Sequence, residues 1–254
     1  MIPGLCWPAV SGGADSILVR LVRFSGVMMA KSGADGRDVY EELRREMVER
    51  QITDRDIDDE LVLSAMLEVP RHSFVPPAMR ARAYHDSPLP LSQGQTISQP
   101  YIVALMTELL ELNGDETVLE VGTGSGYQAA VLSRIARFVY SIERIEELAT
   151  SARERLAELG YENIEVVVGD GSAGLPEHAP YQGIIVTAGA PDIPPKLVEQ
   201  LDDGGRMVVP VGPSNLQTLK VVKRNRGRVS VKEEGACVFV PLLGSYGWKR
   251  GSAR

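Results

Sequence analysis

The sequence predicts an α/β fold: a doubly wound, mostly parallel sheet with antiparallel C-terminal strands and a helical N-terminal cap. Three observations carry the prediction. Short β-branched runs alternate with stretches of helical spacing between residues 117 and 210, the rhythm of parallel strands joined by crossover helices. One strand-to-helix junction, residues 122–126, reads Gly-Thr-Gly-Ser-Gly, a turn in which backbone can approach a ligand closely. Beyond residue 216 the helical spacing stops, and residues 217–223 and 229–233 flank Arg-Asn-Arg-Gly-Arg, which reads as an antiparallel hairpin.

Taken in order, residues 1–27 differ in character from the rest of the chain. The run Ile-Leu-Val-Arg-Leu-Val-Arg-Phe at 17–24 is broken by Arg20 and Arg23. It is too short to span a bilayer and lacks the basic lead-in of a signal peptide. Residues 1–37 are expected to be a disordered extension, and a short membrane-surface helix is the other reading. From Asp38 the chain turns helical, with Val39, Leu43, Met47 and Ile52 on one face. A second helix is expected from an N-cap at Asp58 or Asp59 to about Val69, stopped by Pro70. Proline-rich loops at 71–77 and 84–91 surround another short helix. Next comes Gln-Gly-Gln-Thr-Ile-Ser-Gln-Pro at 93–100, then an apolar helix carrying Ile102, Leu105, Met106, Leu109 and Leu110. Pro100 suits the first helical turn, and Ser98 or Gln99 the cap.

The core comes after this cap. Residues 117–121 form a first buried strand, and a helix runs through Ala130, Val131, Arg134 and Ile135. Residues 138–142 make a second strand ending beside Glu143, and 146–160 an amphipathic helix closed by Gly160. Strands are further expected at 164–168, 181–187 and 206–210, with a helix at 194–201. Residues 237–242 read as one more strand. A single domain is expected over 38–250, with cap and substrate loop at 38–112 and the sheet at 113–250.

The 254 residues are 44% hydrophobic and 24% charged, as in ordinary soluble chains. A net charge of −7 speaks against a protein that grips nucleic acid through its phosphates, though not against a local basic patch. Cys6, Cys237, His72, His85 and His178 have no metal-ligand spacing. A reducing cytoplasmic setting, no metal, no nucleic acid and no membrane are the expectations; a monomer is favoured.

The glycine turn decides the chemistry. A dinucleotide fingerprint would need a third glycine where Tyr127 stands. The pattern is instead G-x-G-x-G behind the acidic Glu120, which resembles class I S-adenosylmethionine (AdoMet) methyltransferases and their Rossmann-like fold. A carboxylate beside the turn suits a ligand that carries a sulfonium and an ammonium and has no pyrophosphate. Glu143 lies 143 − 122 = 21 residues past Gly122, a spacing suited to ribose hydroxyls and shared with NAD enzymes. Asp170, between Gly169 and Gly171, can accept from an adenine amino group.

Further motifs narrow the family. Gln-Thr-Ile-Ser-Gln-Pro at 95–100, Val-Leu-Glu-Val-Gly-Thr-Gly-Ser-Gly-Tyr-Gln at 118–128, Gly-Asp-Gly at 169–171, Ile-Ile-Val-Thr-Ala-Gly-Ala-Pro at 184–191 and Phe-Val-Pro-Leu at 239–242 together resemble the protein-L-isoaspartate O-methyltransferase family, from about Glu41 to Trp248. The resemblance implies a repair enzyme for isoaspartyl proteins and peptides, methylating the α-carboxylate so that the ester closes to a succinimide that reopens to aspartate. Its cofactor would be AdoMet, leaving S-adenosylhomocysteine. By position it implies Ser98 as the active-site serine, an orienter of the carboxylate. Glu120, Gly122, Thr123, Gly124, Ser125 and Gly126 would hold the methionine end, Glu143 the ribose, and Asp170 with Gly171 the adenine. Thr96, Ile97, Val240 and Leu242 would join Ser98 in flanking the peptide. An AdoMet methyltransferase acting on RNA or a small molecule is the alternative.

Overall fold

A computed structural model describes residues 38–249 and 251; the extension expected at 1–37 lies outside the described residues. Helix α1 (Val39–Gln51) is capped by the Asp38 carboxylate, and α2 (Glu60–Glu68) by that of Asp59. In α1 Met47 and Val48 are buried and Leu43 packs on the core, with Ile52 buried just past the helix; of the expected face only Val39 is exposed. The chain makes two short 3-10 turns here, Arg71–Phe74 within the first proline-rich loop and Pro77–Arg82 between the two. Strands β1 (Leu89–Pro90) and β2 (Thr96–Ile97) pair as a small antiparallel ladder, followed by α3 (Pro100–Glu108).

The main sheet uses β3 (Thr117–Val121), β4 (Phe138–Glu143), β5 (Ile164–Val168), β6 (Tyr181–Val186), β7 (Leu201–Val211), β8 (Gln217–Asn225) and β9 (Arg228–Cys237). Helices α4 (Tyr127–Ser133), α5 (Glu146–Glu158) and α6 (Pro195–Gln200) connect the parallel part. Strand order is β5-β4-β3-β6-β7-β8-β9; the first five are parallel and the last two antiparallel to their neighbours. The chain leaves β3 toward β4 and β5, then returns to place β6 on its other side. The ends of β3 and β6 therefore form a topological switch point, where crevices open in such sheets.

Alternation puts Val118, Ile185 and Val208 on the sheet face that packs with the cap, through Met47, Met66 and Phe74. Leu119, Ile184 and Met207 face the opposite core. Two strand expectations differ. β7 begins five residues early, at Leu201, which pairs with Tyr181; the register then jumps so that Gly183 meets Arg206, and residues 202–205 lie in the irregularity between them. Residues 238–242 are not a strand: they make only an isolated bridge, Gly189 to Pro241, beyond the end of β9. β9 also carries one extra residue. Leu219 faces Gly235 and Lys220 faces Glu233, leaving Glu234 as a bulge. Past it, Cys237 and Phe239 are buried and Val238 is 68% exposed.

Candidate functional site

At the end of β3 the chain must turn sharply into α4, and the glycines make this possible. Gly122 has φ +104°, and a Cβ there would sit 2.5 Å from the Thr187 hydroxyl. That hydroxyl donates to the carbonyls of Val121 (3.0 Å) and Gly122 (2.6 Å), tying the turn to the end of β6. Glu143, at the tip of β4, accepts from the Gly124 amide at 3.0 Å and the Ile145 amide at 2.9 Å. It is 8% exposed and faces the cleft.

Glu120 is wholly buried on the cleft wall. One of its oxygens accepts from the Ser141 hydroxyl, which stands 2.5 Å from that of Thr123. The other, Oε1, has no hydrogen-bond partner among the described residues. Burial, with the like charge of Glu143 and against the Ser141 hydrogen bond, lifts this carboxyl to about 8. In the ligand-free chain it is thus not the ready anion expected from the motif. An orphaned buried acceptor on a residue of the cleft wall fits a cationic ligand group, and the nearby Gly124 turn and Glu143 fit the rest of an AdoMet molecule.

Asp170 is tied down from within the chain. Its Oδ1 accepts from the Ser172 amide (3.0 Å) and hydroxyl (2.6 Å), and its Oδ2 from the Ser245 amide at 2.7 Å. Burial opposes its ionisation, but these hydrogen bonds outweigh it and hold the carboxyl below its ordinary value. Asp170 therefore anchors the C-terminal segment, while Gly171 lines the cleft.

Ser98 sits between β2 and α3. Gln99 takes the N-cap position, without a side-chain cap, and Pro100 opens the helix. Ser98 is exposed to two cavities: the cleft of about 210 Å³ that holds Glu120, Gly122, Thr123, Gly124, Ser125 and Glu143, and a groove of about 270 Å³ on its other side. Thr96, Ile102, Thr187, Phe239 and Val240 border both. Leu242 and Ile97 line the cleft alone. The wall at 239–242 is pinned: buried Gln217 accepts from the Phe239 amide at 2.8 Å, and Gly189 exchanges hydrogen bonds with Val240 and Leu242. Gly126 lies off the cleft wall, where it caps α4.

Sequence reasoning missed Ser141, Thr187 and Arg71. Ser141 had a signal, a hydroxyl inside an apolar strand, directly opposite Glu120 in register. Thr187 lies in a quoted motif but was assigned no role. Arg71 sat in what read as a loop; it donates to the Ser98 carbonyl at 2.6 Å. No group of three or more His, Cys, Asp or Glu among the described residues is placed to hold a metal.

Known proteins resemble this chain in sequence and fold. Residues 42–247 match the model of the protein-L-isoaspartate(D-aspartate) O-methyltransferase family. The chain is 54% identical over 206 residues to the protein-L-isoaspartate O-methyltransferase of Methanoculleus marisnigri, covering 81% of this chain and 94% of that one. It is 56% identical over 211 residues to protein-L-isoaspartate O-methyltransferase 2 of Pelobacter propionicus, covering 82% and 94%. Among solved structures, a protein-L-isoaspartate O-methyltransferase superposes with TM-score 0.71 at 30% identity, over 82% of this chain and 67% of that one. A Plasmodium falciparum structure described by the same activity, in complex with S-adenosyl-L-homocysteine, gives 0.68 at 23% over 82% and 99%, a likeness of fold.

Proposed function

The chain belongs to the protein-L-isoaspartate(D-aspartate) O-methyltransferase family, and from that premise we propose how its residues carry the reaction. The enzyme methylates the α-carboxylate of L-isoaspartyl residues in proteins and peptides, with AdoMet as donor. Bound AdoMet supplies an electrophilic methyl group on a sulfonium.

The nucleophile needs no general base, because a carboxylate is already ionised at pH 7. What the protein must provide is alignment and exclusion of water. Ser98 donates its hydroxyl to one carboxylate oxygen and so aims the other toward the cleft. The observation that carries this role is its position: Ser98 borders the cofactor cleft and the peptide groove together. Thr96, Val240 and Phe239 shape the passage between the two, with Ile97 and Leu242 behind them on the cleft side. On the other side of the cleft Glu120 receives a cationic amino group at Oε1, and the turn from Gly122 through Ser125 wraps the same end. Glu143 keeps one lone pair per oxygen for ribose hydroxyls beyond those used by Gly124 and Ile145. The adenine rests near Gly171, whose placement Asp170 supports from behind.

A cytoplasmic, monomeric enzyme without a nucleic-acid partner belongs to the same proposal; the net charge of −7 supports the last of these. No helix among the described residues is long and apolar enough to cross a membrane. The test is incubation with tritiated AdoMet and paired peptides that differ only in aspartyl or isoaspartyl linkage. Base-labile methyl ester is expected on the isoaspartyl peptide; equal labelling of both would defeat the reading.

A further inference from the structure

Arg71 is fully buried, yet it forms no ion pair among the described residues. Its Nε donates to the Ala83 carbonyl at 2.7 Å and its Nη2 to the Ser98 carbonyl at 2.6 Å, while Nη1 makes no hydrogen bond. The guanidinium carbon lies 4.8 Å from the ring centroid of Tyr127, the first residue of α4. A buried cation without a counter-ion is unfavourable, and an aliphatic side chain would fill the same space without that charge, though it would leave the carbonyls of Ala83 and Ser98 without these donors. Packing therefore does not explain the residue. Its contacts do: one guanidinium holds the carbonyl of Ser98 through Nη2 and that of Ala83 through Nε, and the same group lies over the aromatic ring that follows the glycine turn. A single side chain thus touches both the loop that presents Ser98 and the helix that leaves the cofactor turn.

We propose that Arg71 is a positioning residue of the methyl transfer, fixing the Ser98 peptide unit relative to the cofactor turn. Without the fork, the Ser98 carbonyl loses a charge-assisted hydrogen bond and its peptide unit can rotate. The hydroxyl then no longer aims the carboxylate along the line of attack. This rests on the reading of Ser98 given above. Lysine cannot reproduce the effect fully, since a point ammonium satisfies two carbonyls less rigidly than a guanidinium.

The experiment compares Arg71→Ala, Arg71→Lys, Ser98→Ala and the Ser98→Ala/Arg71→Lys double variant. Calorimetry with S-adenosylhomocysteine reports the cofactor site, and initial rates with an isoaspartyl peptide report transfer. Arg71→Ala is expected to lower kcat about a hundred-fold, the effect of a displacement near 1 Å at the reacting groups. Arg71→Lys should lower it about ten-fold, with S-adenosylhomocysteine affinity and the KM for AdoMet held within about two-fold. Methylguanidinium should restore part of the Arg71→Ala rate, and methylammonium should not. In the double variant the lysine effect should shrink, because both changes act on one unit. The proposal is overturned if cofactor affinity falls in step with turnover, if methylguanidinium fails on folded Arg71→Ala, or if the two single effects simply multiply. Should Arg71→Ala not fold, Arg71→Lys decides: a kcat within two-fold of the parent overturns the idea. Full turnover by Ser98→Ala would instead sink the assignment of Ser98, separately from any result with Arg71.

Discussion

The buried carboxyl of Glu120 couples cofactor binding to protons, and Glu120→Gln is the variant that exposes the coupling. Glu120 titrates at about 8 in the ligand-free fold against 4.5 ordinarily. The folded state thus keeps the proton up to pH 8, while the unfolded chain loses it near 4.5. Between those values the folded state binds more protons, so stability falls as pH rises. A difference of about 3.5 pKa units corresponds to at most about 5 kcal/mol lost across that window. At pH 7 about 0.9 of a proton sits on the carboxyl. A cationic amino group placed against the unpartnered Oε1 favours the ionised form, so binding should release close to that amount. Calorimetry with S-adenosylhomocysteine in two buffers of different ionisation enthalpy measures the release directly. Affinity should also tighten by up to about ten-fold per pH unit between 6 and 8. Glu120→Gln should abolish the release, flatten the pH dependence of stability, and bind the ligand at least about ten-fold more weakly. Identical heats in the two buffers, after correction for dilution, would refute the reasoning.

Other perturbations have equally definite outcomes. Glu143→Ala removes charge-assisted hydrogen bonds of about 1.5–3 kcal/mol each, so S-adenosylhomocysteine affinity should drop about ten-fold to a hundred-fold by calorimetry. Melting temperature should fall too, because the Gly124 and Ile145 amides lose their acceptor. Ser98→Ala should leave that affinity within about two-fold while lowering isoaspartyl peptide turnover, without abolishing it, since no covalent intermediate is lost. Gly122→Ala sets a Cβ 2.5 Å from the Thr187 hydroxyl at φ +104°; strain of about 1–3 kcal/mol should appear in denaturant melts, together with weaker cofactor binding.

Most of the sheet was legible because local pattern and tertiary role coincide there. The run 117–121 places Val118 on one side of the pleat and Leu119 and Val121 on the other, and residues 118–121 are buried. The glycine turn was legible for a related reason: its positive φ values and close approaches demand residues that stand out in any sequence. What escaped depends on partners distant in the chain. Arg71 meets carbonyls 12 and 27 residues away, and nothing in Arg-His-Ser-Phe announces burial. The tie between Asp170 and Ser245, 75 residues on, also leaves no local trace. The protonation of Glu120 likewise arises from burial by the assembled sheet. Residues 237–242 misled in the other direction: a β-branched run was read as a strand, but Pro241 lacks an amide to donate and the segment docks on Gly189.

The bulge at Glu234 makes this chain unevenly tolerant of insertions and deletions. A strand's side chains change faces at every residue, so removing one residue between Lys220's partner and Phe239 exchanges inside for outside. Cys237 and Phe239 would turn to solvent and Val238 inward, rebuilding the groove wall beside Ser98 that all three line. Removing a cross-strand pair at the hairpin tip, around Arg226 and Gly227, shortens both strands equally and leaves that wall facing the same way. Length variation among functional versions of this chain should therefore gather at the tip and avoid residues 233–239.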